Sequence, residues 1–387
     1  MLFRSFKAID IRVMNVQFPF LFYQNCTNLL FEYDGGAPFH LYLTSRFKEN
    51  KNWGSKDRKR YRSACYYFWR NAVGVSRQSP DNILMWLQTH YSQEIHQSVS
   101  TDNYLPYHSL SPHLSHSIPP ESLTHWFVNE PLVWISPGKI SIKSLQSEFQ
   151  KANIPIEQQY GNALAVSPQA NLNPWLENGK IYIQDISSQM AMDWTTQPMA
   201  AFCNANHEVW DCCSGSGGKS ITLLKHFPST QLTCSDVRTQ ILENLKTRFQ
   251  LLGLKQPKVF TASANEQNNQ STKATAKPKF HVVLADVPCS GSGTWRRNPE
   301  NLHFFDPQTI PSYAAKQFQI VESVVPSIAV GGYLVYLTCS LFAEENEFNV
   351  KKILESHPNL IKVSEEFCGG IEFQGDFIYR CILQKIN

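Results

Sequence analysis

The chain has 387 residues, 42% of them hydrophobic and 17% charged, with a formal net charge of +3. That length exceeds what one core usually supports and predicts two or three domains of ordinary globular composition. The near-neutral charge permits a nucleic-acid partner without announcing one. Ten cysteines in so long a chain are not a disulfide framework, and without any C-x-x-C or His/Cys ligand spacing no metal is expected. Adjacent Cys212 and Cys213 read as reduced thiols, which suits the cytoplasm. No apolar run reaches the ~18 residues of a membrane span. Met1 to Tyr23 carries the patch Phe18-Pro19-Phe20-Leu21-Phe22-Tyr23 but lacks the small-residue cleavage site of a signal peptide. A monomer is the default, because no feature reports an oligomeric state.

The first ~130 residues are helical in pattern. Phe22 to Lys48 alternates apolar clusters at helical spacing around an Asp34-Gly35-Gly36 break. Asn52 to Arg60 reads as a loop capping the next helix, with Ser55 or Asp57 at its start. That helix carries Tyr61, Cys65, Tyr66, Phe68 and Trp69, an aromatic face expected to fill a core rather than to stack on bases. Lys56, Arg58, Lys59 and Arg60 form the densest basic run, either a solvated helix start or a phosphate contact. Residues ~98 to ~122, rich in Ser, His and Pro, read as a linker or long loop. A small α/β unit follows, with strands at Pro131–Ile135 and Ala163–Val166 and a helix from Ile142 to Asn153. Lys180 to Asp185 then leads into a helix start at Ser187-Ser188-Gln189-Met190-Ala191.

From Glu208 strand and helix alternate, which predicts a parallel sheet with helices on both faces. The strands are Val209-Trp210, Gln231 to Cys234, Val259 to Thr261, Val282 to Ala285 and Tyr333 to Leu337, with Ile378 to Leu383 closing the sheet. Asn265 to Lys279 is polar and reads as a surface loop. The domain boundaries expected are 1–125 (helical), 126–175 (small α/β unit) and 176–387 (the α/β sheet).

Four strand ends carry chemistry-bearing residues, and ligands bind open α/β sheets where such strands end. Asp211-Cys212-Cys213-Ser214-Gly215-Ser216-Gly217-Gly218-Lys219 is a glycine-rich strand-to-helix turn. Its free N–H groups suit an anion or nucleotide-like cofactor, although the spacing is neither a Walker loop nor a strict G-x-G-x-x-G. Twenty-five residues after Asp211, Asp236 ends the second strand, where an acid bonds ribose hydroxyls or caps the helix beginning at Val237-Arg238. Asp286-Val287-Pro288-Cys289-Ser290-Gly291-Ser292-Gly293 and Thr338-Cys339-Ser340 each follow an apolar strand. A carboxylate, a stiffened turn and thiols fit a site that grips a flat amide-like base and activates its ring by covalent attack. Cys203, Cys234, Cys368 and Cys381 fit the commoner reading of a buried small hydrophobe.

Together these blocks resemble the Fmu/Sun family of S-adenosylmethionine-dependent RNA (cytosine-5)-methyltransferases, of the bacterial rRNA type. Asp211 to Lys219 is similar to the family's cofactor loop, and Ser235-Asp236-Val237-Arg238 with Ile241, Leu242 and Arg248 to its second motif. Asp286 to Gly293 followed by Arg296-Arg297-Asn298-Pro299-Glu300 resembles its D-x-P-C-S-G-x-G block. Thr338 to Ser340 with Glu344-Glu345-Asn346 resembles its T-C-S block. Gln184-Asp185 with Ser187-Ser188-Gln189 resembles its entry segment, and Gly54 to Arg58 its N-terminal helical domain.

The resemblance implies a Rossmann-like class I methyltransferase sheet, preceded by an RRM-like unit and a helical RNA-binding domain. It implies that Cys339 attacks carbon 6 of cytosine, that Cys289 serves proton removal or release, and that Asp286 bonds the base beside Lys219. Asp236 would hold the ribose of S-adenosyl-L-methionine, with Cys213, Ser214, Gly215, Ser216, Gly217, Gly218, Lys219, Arg238, Ser263 and Asp286 around the cofactor. Arg296 and Arg297, with the Lys56–Arg60 run, would hold RNA. The chain departs from the family pattern at Ser214-Gly215-Ser216, at the third-strand end (Ser263, Ala264) and at Ser136-Pro137-Gly138. Ribosomal RNA is the expected substrate. The alternatives are tRNA, a DNA-type enzyme with Cys289 as nucleophile, and a non-catalytic RNA-binding assembly factor.

Overall fold

The computed structural model describes residues 18–91, 110–194, 207–262 and 279–387. The expected surface loop from Asn265, the third-strand end at Ser263 and Ala264, and Cys203 lie outside the described residues. The chain forms two compact units, one of residues 1–106 with 298–304 and one of residues 107–297 with 305–387.

The first unit is built on helices Phe20–Phe31, Phe39–Glu49, Ser55–Asn71 and Pro80–His90. The Asp34-Gly35-Gly36 break falls between the first two. The third starts after Gly54, whose N–H donates to Asp57 at 3.1 Å, so Asp57 caps from inside the first turn. Its Tyr61, Cys65, Phe68 and Trp69 are buried with Phe22, Leu30, Phe39, Leu43, Ile83 and Leu87, so the aromatic face is core. A short helix from the later sequence, Glu300–Phe304, packs into this unit. Its Glu300 accepts from the Phe39 N–H at 3.3 Å, and His303 Nε2 meets the Trp69 carbonyl at 2.7 Å.

The second unit holds two sheets. Strands β1 (Val133–Pro137), β2 (Gln158–Tyr160), β3 (Ala163–Val166) and β4 (Ile181–Ile183) form an antiparallel sheet in the order β2-β3-β1-β4. Helix Ile142–Lys151 packs Leu145 and Phe149 against it with Ile135, Leu164 and Val166. The larger sheet contains β5 (Glu208–Asp211), β6 (Gln231–Asp236), β7 (Lys258–Thr261), β8 (Phe280–Asp286), β9 (Ile328–Thr338), β10 (Leu360–Gly369) and β11 (Phe377–Lys385). Its order is β10-β11-β9-β8-β5-β6-β7. Strands β5 to β9 run parallel, while β10 and β11 are antiparallel additions. Two cores lie on opposite faces. One gathers Ile221, Leu245, Phe249 and Leu284, the other Val283, Val321, Tyr336 and Ile353.

Two expectations are corrected. β10 has no counterpart in the sequence reading, because Ser364, Glu365 and Glu366 interrupt its apolar pattern. In the fold Glu365 accepts from the Tyr379 hydroxyl and Glu366 pairs with Arg380 on β11. The expected linker is in part an ordered strap. Leu114 bridges to Phe342, Ser115 N–H donates to the Leu341 carbonyl at 2.8 Å, and Leu110, Leu114 and Ile118 are buried. It thus braces the loop that follows β9.

Candidate active site

The site forms where β5, β6, β8 and β9 end. The turn after β5 runs from Cys212 to Gly217 and opens helix Gly218–His226. Gly217 has φ +79°, and a Cβ there would lie 2.8 Å from Leu245 Cγ, so the turn needs glycine twice over. Gly215 differs, since a Cβ there would meet nothing within 4 Å. Its N–H donates to Asp236 Oδ2 at 3.0 Å. Asp236 also accepts from the Arg238 N–H at 3.0 Å and from the Arg238 side chain at 2.9 and 3.1 Å. Burial alone would raise the Asp236 pKa, but the Arg238 and Gly215 donors outweigh it and hold it below the usual carboxylate range. A buried acid at the end of β6 is thus bonded to the backbone of a glycine turn, a placement that fits the ribose of an adenosine-type cofactor. The helix that follows runs Thr239–Leu252 with Arg238 at its N-cap and no side-chain cap bond, so Asp236 turns the chain at Arg238 rather than capping a helix begun at Val237-Arg238.

Ser214 N–H donates to the Ser235 carbonyl at 2.9 Å, joining the β5 and β6 ends. Arg248 donates to the Ser216 carbonyl and hydroxyl at 2.8 and 2.9 Å. Cys213 is half-buried beside them, and Gly218 begins the helix. Asp211 is buried, accepts from Ser220 Oγ at 2.6 Å, and is pushed up to about 7 by desolvation and, further down, by the nearby Asp286 charge.

Lys219, the second residue of the helix, donates to Asp286 Oδ2 at 2.7 Å. Burial opposes its charge, but Asp286 more than compensates and the ammonium's pKa lies above its ordinary value. The register Asp286↔Leu337 sets the β8 and β9 ends side by side. The two thiols, 50 positions apart in sequence, lie 3.1 Å apart, and Cys339 N–H points at Cys289 Sγ at 3.3 Å. The bond to Cys339, burial and the charges nearby push the Cys289 thiol well up, so it holds its proton near neutrality. Cys234, Cys368 and Cys381 are buried apart from this pair, as expected of small hydrophobes.

Six residues were expected at RNA. Arg296 is 2% exposed, and its guanidinium donates to the Asn129 and Glu130 carbonyls at 3.0 Å each. This corrects its expected role, because those donors brace the chain from inside rather than meeting phosphate. Arg297 donates to Asp376 Oδ2 at 2.7 Å through Nε and remains half-exposed. The negative charge of Asp376 raises its pKa, and the Cys339 thiol is among the groups acting on it. In the helical unit Lys56 and Lys59 are exposed, while Arg58 Nε donates to the Trp53 carbonyl at 2.8 Å and Arg60 lies over the Phe18 ring. The basic run is therefore split, two lysines outward and two arginines partly spent within the unit. In the altered segment at β1, the Ser136 hydroxyl bonds Gln189 and the Gly138 carbonyl accepts from Lys225 Nζ.

Sequence reasoning missed the buried polar layer beneath the thiols. Glu345, Gln317, Ser290, Ser292 and Ser340 bond one another there. The signal available was the crowding of small hydroxyl residues immediately after each cysteine.

A Rossmann-like sheet with a glycine turn, an acid at the next strand end and ligand-facing groups at the strand tips defines a class I methyltransferase fold. Residues 200–379 match the family model described as 16S rRNA methyltransferase RsmB/F. The ribosomal RNA small subunit methyltransferase B of Escherichia coli O127:H6 is 31% identical over 183 residues, 47% of this chain and 40% of that protein. The protein of the same name from Shigella flexneri is 30% identical over the same share. The chain thus spans about 40% of the length of the curated relatives it matches. The crystal structure of PH0851 superposes with a TM-score of 0.73 at 16% identity, covering 96% of this chain and all of that one. NSun6 from Pyrococcus horikoshii with SFG superposes with a TM-score of 0.58 at 14% identity, covering 69% and 95%. These two likenesses are of fold.

Proposed function

We propose that the chain is an S-adenosylmethionine-dependent RNA (cytosine-5)-methyltransferase acting on small-subunit ribosomal RNA. The observation that carries the reading is the pair of thiols 3.1 Å apart at the ends of adjacent parallel strands, beside the Lys219–Asp286 pair. Asp236 and the Cys213–Gly218 turn would hold the cofactor, with Arg238 free to move off Asp236 because its side chain is 64% exposed. When bound, S-adenosylmethionine supplies an electrophilic methyl group.

The chain's own residues do the rest. Asp286, held by Lys219, bonds the polar edge of the flipped-out cytosine and stabilises the charge that develops on the ring. Cys339 forms a sulfur–carbon bond to carbon 6, which leaves carbon 5 nucleophilic. Lys219 and Arg297 both lie within electrostatic reach of Cys339. Once carbon 5 carries the methyl group that the cofactor would supply, its proton passes to water and the freed electron pair expels Cys339 as thiolate from carbon 6, a step in which Cys289 assists. Lys56 and Lys59 are the groups of the basic run that remain available to phosphates.

Bisulfite sequencing of total RNA from cells with and without the gene tests this reading. The expected result is one cytosine of small-subunit rRNA that resists conversion only when the gene, and not its Cys339→Ala form, is present. Protection confined to tRNA would redirect the substrate, and complete conversion in both strains would sink the activity.

A further inference from the structure

The geometry points to Glu345 as a positioning residue that ties the two cysteine loops together and sets the spacing of the thiols. This rests on the two-thiol reading of the site. Glu345 is fully buried, with 0% exposure. Its two carboxylate oxygens serve different loops. Oε2 accepts from the N–H of Ser290, the residue after Cys289, at 2.9 Å. Oε1 accepts from the hydroxyl of Ser340, the residue after Cys339, at 2.6 Å. Gln317, on helix Ile310–Val324, donates to the same Oε2 at 2.8 Å and to the Pro288 carbonyl at 3.1 Å, so the loop is held on both sides of Cys289.

The surrounding bonds leave little slack. Ser290 Oγ donates to Ser340 Oγ at 3.1 Å, Leu341 N–H donates to Ser292 Oγ at 2.8 Å, and Gly293 N–H donates to the Cys339 carbonyl at 2.9 Å. Asn349 Nδ2 fixes Gln317 through its Oε1 at 3.1 Å. Only a carboxylate offers acceptors on both arms. A glutamine keeps one. Its NH2 would face Ser290 N–H, a donor, or Ser340 Oγ, which already receives donors from Phe342 N–H and Ser290. Glu345→Gln is nearly isosteric and therefore opens one clamp without opening a cavity. A buried charge also needs all its partners, which is a reason to find it here only if the spacing it imposes matters.

The test reads thiol spacing directly, apart from methyl transfer. An azodicarboxamide oxidant takes two protons and two electrons from Cys289 and Cys339 as their disulfide forms, its N=N bond being reduced to a hydrazine. The rate of that cross-link, followed by peptide mapping, is expected to fall about tenfold or more in Glu345→Gln, the scale of one lost hydrogen bond. Methylation by the same variant should show lowered kcat with KM for RNA unchanged. A wild-type cross-linking rate in folded Glu345→Gln overturns the proposal. Should that variant fail to fold, Ser340→Ala removes the Oε1 clamp, together with the bonds that Ser340 Oγ accepts from Phe342 N–H and Ser290 Oγ, and is read by the same two outcomes. A slowed cross-link in a chain whose wild type methylates no RNA would keep the clamp and discard the activity.

Discussion

Replacing Gly293 by alanine probes how closely the two cysteine loops meet. A Cβ at this position would lie 2.4 Å from the Phe377 carbonyl oxygen and 3.0 Å from the Cys339 carbonyl oxygen. Both are backbone atoms, so no rotamer change relieves the contact. Gly293 N–H also donates to that Cys339 carbonyl at 2.9 Å, and the bond must lengthen as the loop retreats. Overpacking typically costs about 1–3 kcal/mol and a weakened hydrogen bond about 1 kcal/mol more, giving about 2–4 kcal/mol. In a unit of this size that lowers the melting temperature by roughly 4–12 °C. Gly215→Ala is the control. Its Cβ has open space, and φ of +50° leaves only backbone strain of about 1 kcal/mol. Scanning calorimetry measures both, and a methyl-transfer assay on the surviving protein should show Gly293→Ala lower by at least about tenfold, since Cys339 must move with its carbonyl. A Gly293→Ala protein that melts with wild type and keeps full activity would refute the close approach.

The two thiols predict opposite failures: Cys339→Ala gives no covalent RNA adduct, whereas Cys289→Ala accumulates one that survives denaturing gels. The reversed pattern would make Cys289 the nucleophile. Asp236→Ala should weaken S-adenosylmethionine binding by about tenfold or more in calorimetry, as expected for a lost charged hydrogen-bond pair, and unchanged affinity would remove the ribose assignment. His303 is held down to about 4 by burial, against which the Trp69 carbonyl bond acts, with the Arg77 charge adding to the lowering. Its contribution is thus fully present above its usual 6.5 and lost as pH falls toward 4, by at most about 3 kcal/mol, because the unfolded chain takes up a proton the folded one refuses. Denaturant titration of His303→Gln from pH 7 to 4.5 should show a flatter profile than wild type.

The parallel strands were legible because β5, β8 and the end of β9 are short apolar runs closed by small or turn residues, a pattern set by burial on both faces. The glycine turn and the acid at the end of β6 were legible for a similar reason, since strand-to-helix geometry and free N–H groups dictate local residue types. β10 was not, because Glu365 and Glu366 find partners on β11, and an edge strand's pattern is decided by that pairing. The strap at 110–118 hid for a related reason. Its Ser and His side chains look like linker composition, yet Ser115 bonds Asn346 and Glu347 and His113 bonds Glu344, all more than two hundred positions away.

Arg296 and Arg297 show where composition misleads most. Adjacent arginines after the Asp286–Gly293 block suggest phosphate, but their fates diverge on tertiary grounds. Arg296 inserts its fork between two carbonyls of the segment preceding β1, a use that leaves no trace in local sequence. Arg297 meets Asp376, which lies just ahead of β11 and whose N–H donates to Asp185 at 3.0 Å, so the entry segment before helix Ile186–Ala191 is drawn toward the thiols by the same acid. The residues proposed to touch substrate are read from the chain because chemistry restricts them. Those that hold them in place, Glu345 and Asp376 above all, are restricted only by what the fold puts opposite them.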